Sequence, residues 1–180
     1  NPSALERLKG QNIFKVDLNQ VHELLTKRYP QVAKLRVIRQ FPDQISIEAK
    51  ERRPRAQAQV RGKVVTLDEH GVVLSMSTDR DEKFPFIKGV SSRKKRLILG
   101  QLLTGREMKD ALAVIRTFQE NRVLESFAIQ LIDVANLSKI ELVLSNGLTV
   151  YVDSEQLARK MRVLGFVLTR ASINYDEVKY

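Results

Sequence analysis

Apolar residues recur along this chain at two spacings, about every 3.6 residues in some stretches and every second residue in others, and the changes between them mark out the elements. From Asp17 to Arg28, Leu18, Val21, Leu24 and Leu25 fall on one helical face. Asp17 stands where an N-cap belongs, Lys27 and Arg28 occupy the last turn, and Tyr29-Pro30 stops the helix. Ala33, Leu35 and Val37 then alternate, Phe41-Pro42-Asp43 makes a turn, and Ile45, Ile47 and Ala49 alternate again. The pattern predicts a helix followed by an antiparallel hairpin.

Further along, Val60 leads into a tight turn at Arg61-Gly62. Val64 to Leu67 enters a second turn at Glu69-His70-Gly71, and Val72 to Leu74 follows. These short strands are expected to extend the first sheet. The polar run from Ser75 to Lys83 shows no strand period, and apolar content restarts at Phe84-Pro85-Phe86-Ile87, so a domain boundary is expected near residues 75–83. Beyond it, Met108, Ala111, Leu112, Ile115 and Phe118 share a helical face between Glu107 and Gln119. Phe127, Ile129 and Leu131 alternate as a strand, and Ile140, Leu142 and Leu144 as another. Ser145-Asn146-Gly147 turns back into Leu148, Val150 and Val152, with Asn-Gly suited to a type I′ hairpin. Ser154 is placed to cap a closing helix carrying Leu157, Met161, Leu164 and Leu168, and Val178-Lys179-Tyr180 reads as the opening of a strand. The chain thus reads as two compact α+β units.

Composition narrows the chemistry. The 180 residues are 43% hydrophobic, enough for one moderate core or two small ones, and no apolar run approaches membrane-spanning length. With no cysteine there is no disulfide framework, thiol chemistry or Cys-based zinc site. His22 and His70 fall in different elements and lack neighbours at ligand spacing, the first on a helix surface and the second in a turn. Gly100 to Gly105 is spaced like a phosphate loop, yet Arg106-Glu107 stands where Lys and Ser/Thr belong. Asp79, Asp81 and Glu82 read as a hydrated hinge, and Ser91 and Ser92 lack a nucleophile context. An enzyme is disfavoured, and no cofactor or metal is implied. The net charge of +10 and pI near 10.0 would suit nucleic acid, an anionic membrane surface or an acidic partner. Its clusters at Arg52, Arg53, Arg55 and at Arg93 to Arg96 read first as solvated surface. Nucleic acid is disfavoured because aromatics are only 6% and Phe14, Phe41, Phe118 and Phe127 sit at predicted core positions.

The order of helix, Tyr29-Pro30-x-Val32, strand, Arg39-Gln40-Phe41-Pro42-Asp43, strand, Glu51-Arg52-Arg53-Pro54 and Leu67-Asp68-x-x-Gly71 resembles the POTRA domain of the bacterial FtsQ/DivIB division family. Asn12-Ile13-Phe14-x-Val16-Asp17-Leu18 is similar to that family's approach to the domain. Phe84-Pro85-Phe86-Ile87-x-Gly89 looks like its linker into a second, β domain, where Ile132-Asp133, the Asn146-Gly147 hairpin and the helix from Ser154 follow in the family's order. Each motif has a plain reading as well. Phe41-Pro42-Asp43 is a turn any α+β domain can use, and Glu51-Arg52-Arg53-Pro54 is a strand exit in which proline blocks further pairing.

The resemblance implies an α+β fold, with a POTRA-type domain and then a mixed β domain whose antiparallel-rich sheet is flanked by helices. Residues 1–11 lead in, 12–78 form the POTRA domain and 79–180 the β domain. It implies the extracytoplasmic portion of a single-pass protein of the cytoplasmic membrane at the division septum, since the family's tail and spanning helix would precede Asn1. It further implies a non-catalytic scaffold that helps couple division-site assembly to septal peptidoglycan synthesis. Its partners would be FtsB/DivIC-like and FtsL-like proteins bound by β-strand addition, with an anionic membrane surface as a further contact. The expected partner-binding residues are Val178, Lys179 and Tyr180 at the last strand, with Arg52 and Arg53 in the first domain. The alternative is a periplasmic POTRA module of an outer-membrane assembly or secretion system. Residues 84–180 do not repeat residues 12–74, which counts against it.

Overall fold

The computed structural model of the chain describes residues 10–91 and 96–170. It consists of two compact units, Asn1–Arg53 and Pro54–Tyr180. Among the described residues, no helix is long and apolar enough to cross a membrane.

The first unit lays helix α1 (Leu18–Arg28) on a hairpin of β1 (Val32–Gln40) and β2 (Gln44–Glu51). The helix begins at Asp17 because its Oδ1 accepts hydrogen bonds from the Asn19 and Gln20 amides at 2.9 and 3.2 Å, satisfying donors that have no partner within the helix. Leu35, Val37 and Ile45 share the sheet face that α1 covers, and with Leu18 they enclose Val16, Val21 and Leu25. Leu24, expected on this face, is half exposed. So small a core cannot reach the hairpin tip. Phe14 and Phe41, expected inside, are instead the most exposed large apolar side chains described, at 67% and 68%.

The second unit is built on a seven-stranded sheet in the order β5-β4-β3-β6-β7-β8-β9. Its strands are β3 (Ala56–Val60), β4 (Lys63–Leu67), β5 (Val73–Ser77), β6 (Phe86–Lys88), β7 (Ile129–Asp133), β8 (Ile140–Leu144) and β9 (Thr149–Val152). The pairings of β6 with β3 and β7 are parallel and the others antiparallel. Helices α2 (Arg106–Glu120) and α3 (Leu157–Arg170) bury Met108, Ala111, Val114, Ile115, Phe118, Met161 and Leu168 in the core that they share with the sheet.

Strands β3 to β5 therefore do not extend the first sheet, and the division falls at Arg53/Pro54, earlier than polarity alone placed it. Ala56, Gln57 and Ala58 are all buried, as a strand enclosed on both faces requires, and β3 pairs with both β4 and β6. The polar run after Leu74 is partly strand: Ser75 and Ser77 are the exposed alternate residues of β5. The acidic stretch that follows is a fixed connection inside the unit. The Asp81 amide donates to Gln57 Oε1 at 2.8 Å, and Arg80 donates to the Gln130 carbonyl with its guanidinium 4.8 Å from the Phe86 ring centroid.

The Leu67-Asp68-x-x-Gly71 motif is a structural turn. Buried Asp68 accepts from the His70 and Val72 amides at 2.9 and 2.8 Å, while Gly71 adopts φ +85°. A bulge between Ile129 and Leu131 interrupts the expected alternation, so Ile132 points into the core. At Ser145-Asn146-Gly147 the hairpin forms, but only Gly147 has positive φ, and Gly147 N donates to the Leu144 carbonyl. This is a three-residue loop of type I turn plus left-handed glycine, because the Asn146 side chain accepts from the Leu148 amide without its own backbone turning left-handed. The turn with two positive φ values is at Arg61-Gly62, at +53° and +77°. Helix α3 starts after Gln156, itself at φ +49°, and Asp153 rather than Ser154 accepts from the incoming backbone, at Glu155 N.

Candidate docking edge of the second unit

The two ends of the seven-stranded sheet are treated differently. At the β5 end, residues 100–103 run back along the start of the strand: Val72 bridges Leu102, Val73 N donates to the Gln101 carbonyl at 2.9 Å, and Gly100 N to the Val73 carbonyl at 2.8 Å. That is the role of the glycine-spaced segment that failed as a phosphate loop. At the other end, no described residue pairs with the outer edge of β9. Its backbone N–H and C=O groups form a template for a further strand.

Beside this edge lies a groove of about 470 Å³ between β9 and α3. Val150, Val152, Val163, Leu164 and Val167 supply its apolar lining, and Arg159 and Lys160 its basic groups. Helix α3 has two apolar sets. Met161, Gly165 and Leu168 face the core, while Val163 and Phe166 are exposed at 57% and 56%. Its charged residues, Arg159, Lys160, Arg162 and Arg170, are all basic. Arg170 lies 4.7 Å from the Phe166 ring centroid and Lys139 lies 4.2 Å from that of Tyr151, two cation–π pairs.

The connection from β9 into α3 is clamped by Asp153, which accepts from Lys160 Nζ and from Glu155 N. The hydrogen bond from Lys160, then the backbone hydrogen bond from Glu155, hold the Asp153 carboxyl below its ordinary value against the opposing effect of desolvation, with the ammonium charge of Lys160 adding to the lowering. The clamp fixes the helix against the edge strand, and hence the shape of the groove.

Val178, Lys179 and Tyr180 lie outside the described residues. Arg52 and Arg53 belong to the first unit. The Arg52 amide donates to the Gln31 carbonyl at 2.8 Å and its Nε to the Pro30 carbonyl at 3.3 Å, tying the end of β2 to the loop before β1, while Arg53 is exposed. Among the described residues, no three His, Asp or Glu side chains gather where a metal ion could be held. The sequence pattern of Leu157, Met161, Leu164 and Leu168 marks only one apolar stripe of α3. The remaining apolar pair Val163 and Val167, one turn apart, was the available sign of a second face.

Comparison with known proteins supplies the remaining observations. Residues 3–52 match the family model "POTRA domain, FtsQ-type", and residues 56–180 match "Cell division protein FtsQ/DivIB, C-terminal". The two matches meet where the two units divide. Among curated proteins, the chain is 30% identical over 175 residues to a cell division protein FtsQ of a Geobacter species, covering 94% of this chain and 59% of that protein. It is 33% identical over 143 residues to the FtsQ of Syntrophotalea carbinolica, covering 79% of this chain and 46% of the relative. The FtsQ of Koribacter versatilis is 37% identical over 106 residues, 52% of this chain and 29% of its own length. The chain thus spans no more than about 59% of these relatives. Among solved structures it is similar to the major extracytoplasmic domain of the trans isomer of the bacterial cell division protein DivIB from Geobacillus stearothermophilus. That likeness has a TM-score of 0.43 and 16% identity, over 72% of this chain and 99% of that one, and is too distant to carry the assignment.

Proposed function

This chain belongs to the FtsQ/DivIB cell-division family, and on that premise we propose that it is a non-catalytic scaffold of the bacterial divisome. In this reading it is the extracytoplasmic portion of a protein anchored in the cytoplasmic membrane. It binds FtsB/DivIC-like and FtsL-like partners and so helps couple division-site assembly to septal peptidoglycan synthesis. The observation that carries the reading is the β9 end of the sheet, with which no described residue pairs, beside an apolar groove that Arg159 and Lys160 also line. Such an edge recognises an extended peptide: main-chain hydrogen bonds supply affinity, and pockets for alternate side chains supply selectivity. Val178, Lys179 and Tyr180 would lengthen the sheet at this end, and the partner strand would pair there.

The test is titration of the chain, and of a version extended at its C-terminus by the native sequence, with the extracytoplasmic segment of FtsB or DivIC from the same organism. Saturable binding that is abolished by a proline in the partner's strand is the expected result, since proline removes a ladder donor. Binding that survives both the proline and the charge introduced by Val163→Asp would overturn strand addition at this edge.

A further inference from the structure

Phe14 and Phe41 pose a different question. They come from segments far apart in sequence, yet their ring centroids are 5.7 Å apart at the tip of the first unit, and both are about two-thirds exposed. Large exposed apolar groups held together on a small domain mark a contact surface.

The tip is held in place. Arg39, on β1, donates from Nε to the Ile13 carbonyl at 2.9 Å and from a terminal nitrogen to the Val16 carbonyl at 2.6 Å, so its guanidinium pins the turn that carries Phe14. The Phe14 amide donates to Asn12 Oδ1 at 3.0 Å, and Lys15 N to the Asn12 carbonyl at 2.9 Å. Phe41 lies in the hairpin turn itself, at the opposite end of β2 from Arg53, where the first unit ends. Eight residues of strand, about 25 Å, separate the rings from that junction.

Two aromatic rings fixed side by side at the far end of a domain are suited to the interfacial zone of a bilayer, where apolar bodies sit among headgroups. The unit's overall net charge favours an anionic leaflet over a neutral one. Residues 1–53 hold 11 Lys and Arg against 6 Asp and Glu, so this unit carries half of the chain's net charge of +10 in less than a third of its length. Lys15 is exposed beside Phe14, and the carboxylate nearest in sequence to the rings is Asp43.

We propose that the Phe14–Phe41 tip is a membrane-contact wedge that inserts between the headgroups of an anionic bilayer and holds the first unit against it. The proposal rests on the reading that the chain works beside a membrane, but it uses no residue of the β9 edge.

The chain contains no tryptophan, so Phe41→Trp places a single fluorophore on the wedge without background. On vesicles of mixed phosphatidylethanolamine and phosphatidylglycerol its emission should shift to shorter wavelength and be quenched by lipids brominated on their acyl chains. Binding should be about fivefold tighter than to phosphatidylcholine vesicles, the effect of roughly one basic side chain at an anionic surface. Asp43→Asn should strengthen binding, and Phe14→Ser in the same background should remove the shift while thermal unfolding is unchanged. The chain with its native Phe41 should sediment with the anionic vesicles, and the Phe14→Ser, Phe41→Ser double variant should not. Unchanged emission together with no sedimentation overturns the proposal. So does a shift that grows with protein concentration in the absence of lipid, which would assign the wedge to a second copy of the chain. Titration of the double variant with the FtsB or DivIC segment separates the two readings, because the proposed strand addition uses neither Phe14 nor Phe41.

Discussion

Asp68 closes the turn between β4 and β5 with two hydrogen bonds from backbone amides while being almost completely buried. Asp68→Ala would leave those donors unmet and should lower unfolding free energy by about 1–3 kcal/mol in urea titration, with Asp68→Asn costing less because its Oδ1 still accepts. Gly89 has no such latitude. At φ +79° a Cβ there would stand 2.3 Å from the Ala135 backbone nitrogen, so Gly89→Ala should destabilise by roughly 3 kcal/mol or prevent folding altogether. Asp153 gives a pH dependence whose sign follows from its lowered pKa. Its stabilisation is present above the unfolded carboxylate value and is lost as pH falls through the lower folded one. The melting temperature of Asp153→Asn should therefore lie modestly below that of the unsubstituted chain at pH 7, and the two should converge in acid. Asp17 as a cap and Gly71 as a turn residue were legible from sequence, because each acts within a few residues of itself. Gly89 appeared only as part of a motif, since the backbone it must avoid lies some 45 residues away along the chain.

Helix α3 shows why elements are harder to read than caps. The buried positions Met161 and Leu168 follow the helical period, and that face was read from sequence. The second apolar face, with Val163 and Val167, has no partner within the helix and gains meaning only beside β9. Val163→Asp or Val167→Asp should leave thermal melting nearly unchanged and abolish binding of a strand-forming partner, as titration calorimetry would show. Loss of both stability and binding would mean that this face belongs to the core. The bulge in β7 and the three-residue loop after β8 escaped a strict period-two reading for the same reason. Register is settled by the neighbouring strand and by a side chain such as Asn146, which can satisfy the turn in more than one way.

Over the whole molecule, the α+β class and the order of most elements could be read from periodicity, whereas the partition into units could not. A polar run suggested a boundary, but β3 carries its sheet on both sides and draws the strands that follow it into the second unit. The same long-range pairing explains the two unlike ends of that sheet, one with residues 100–103 laid along the start of β5 and the other with no described pairing at β9. An edge of this kind is a single seat. If two partners both use strands, they cannot occupy it together: the first to arrive becomes the new edge, and the second must pair with the first rather than with this chain. Assembly would then have an order, with the second partner's affinity conditional on the first, and a strand peptide from the first would compete for the seat whereas one from the second would not.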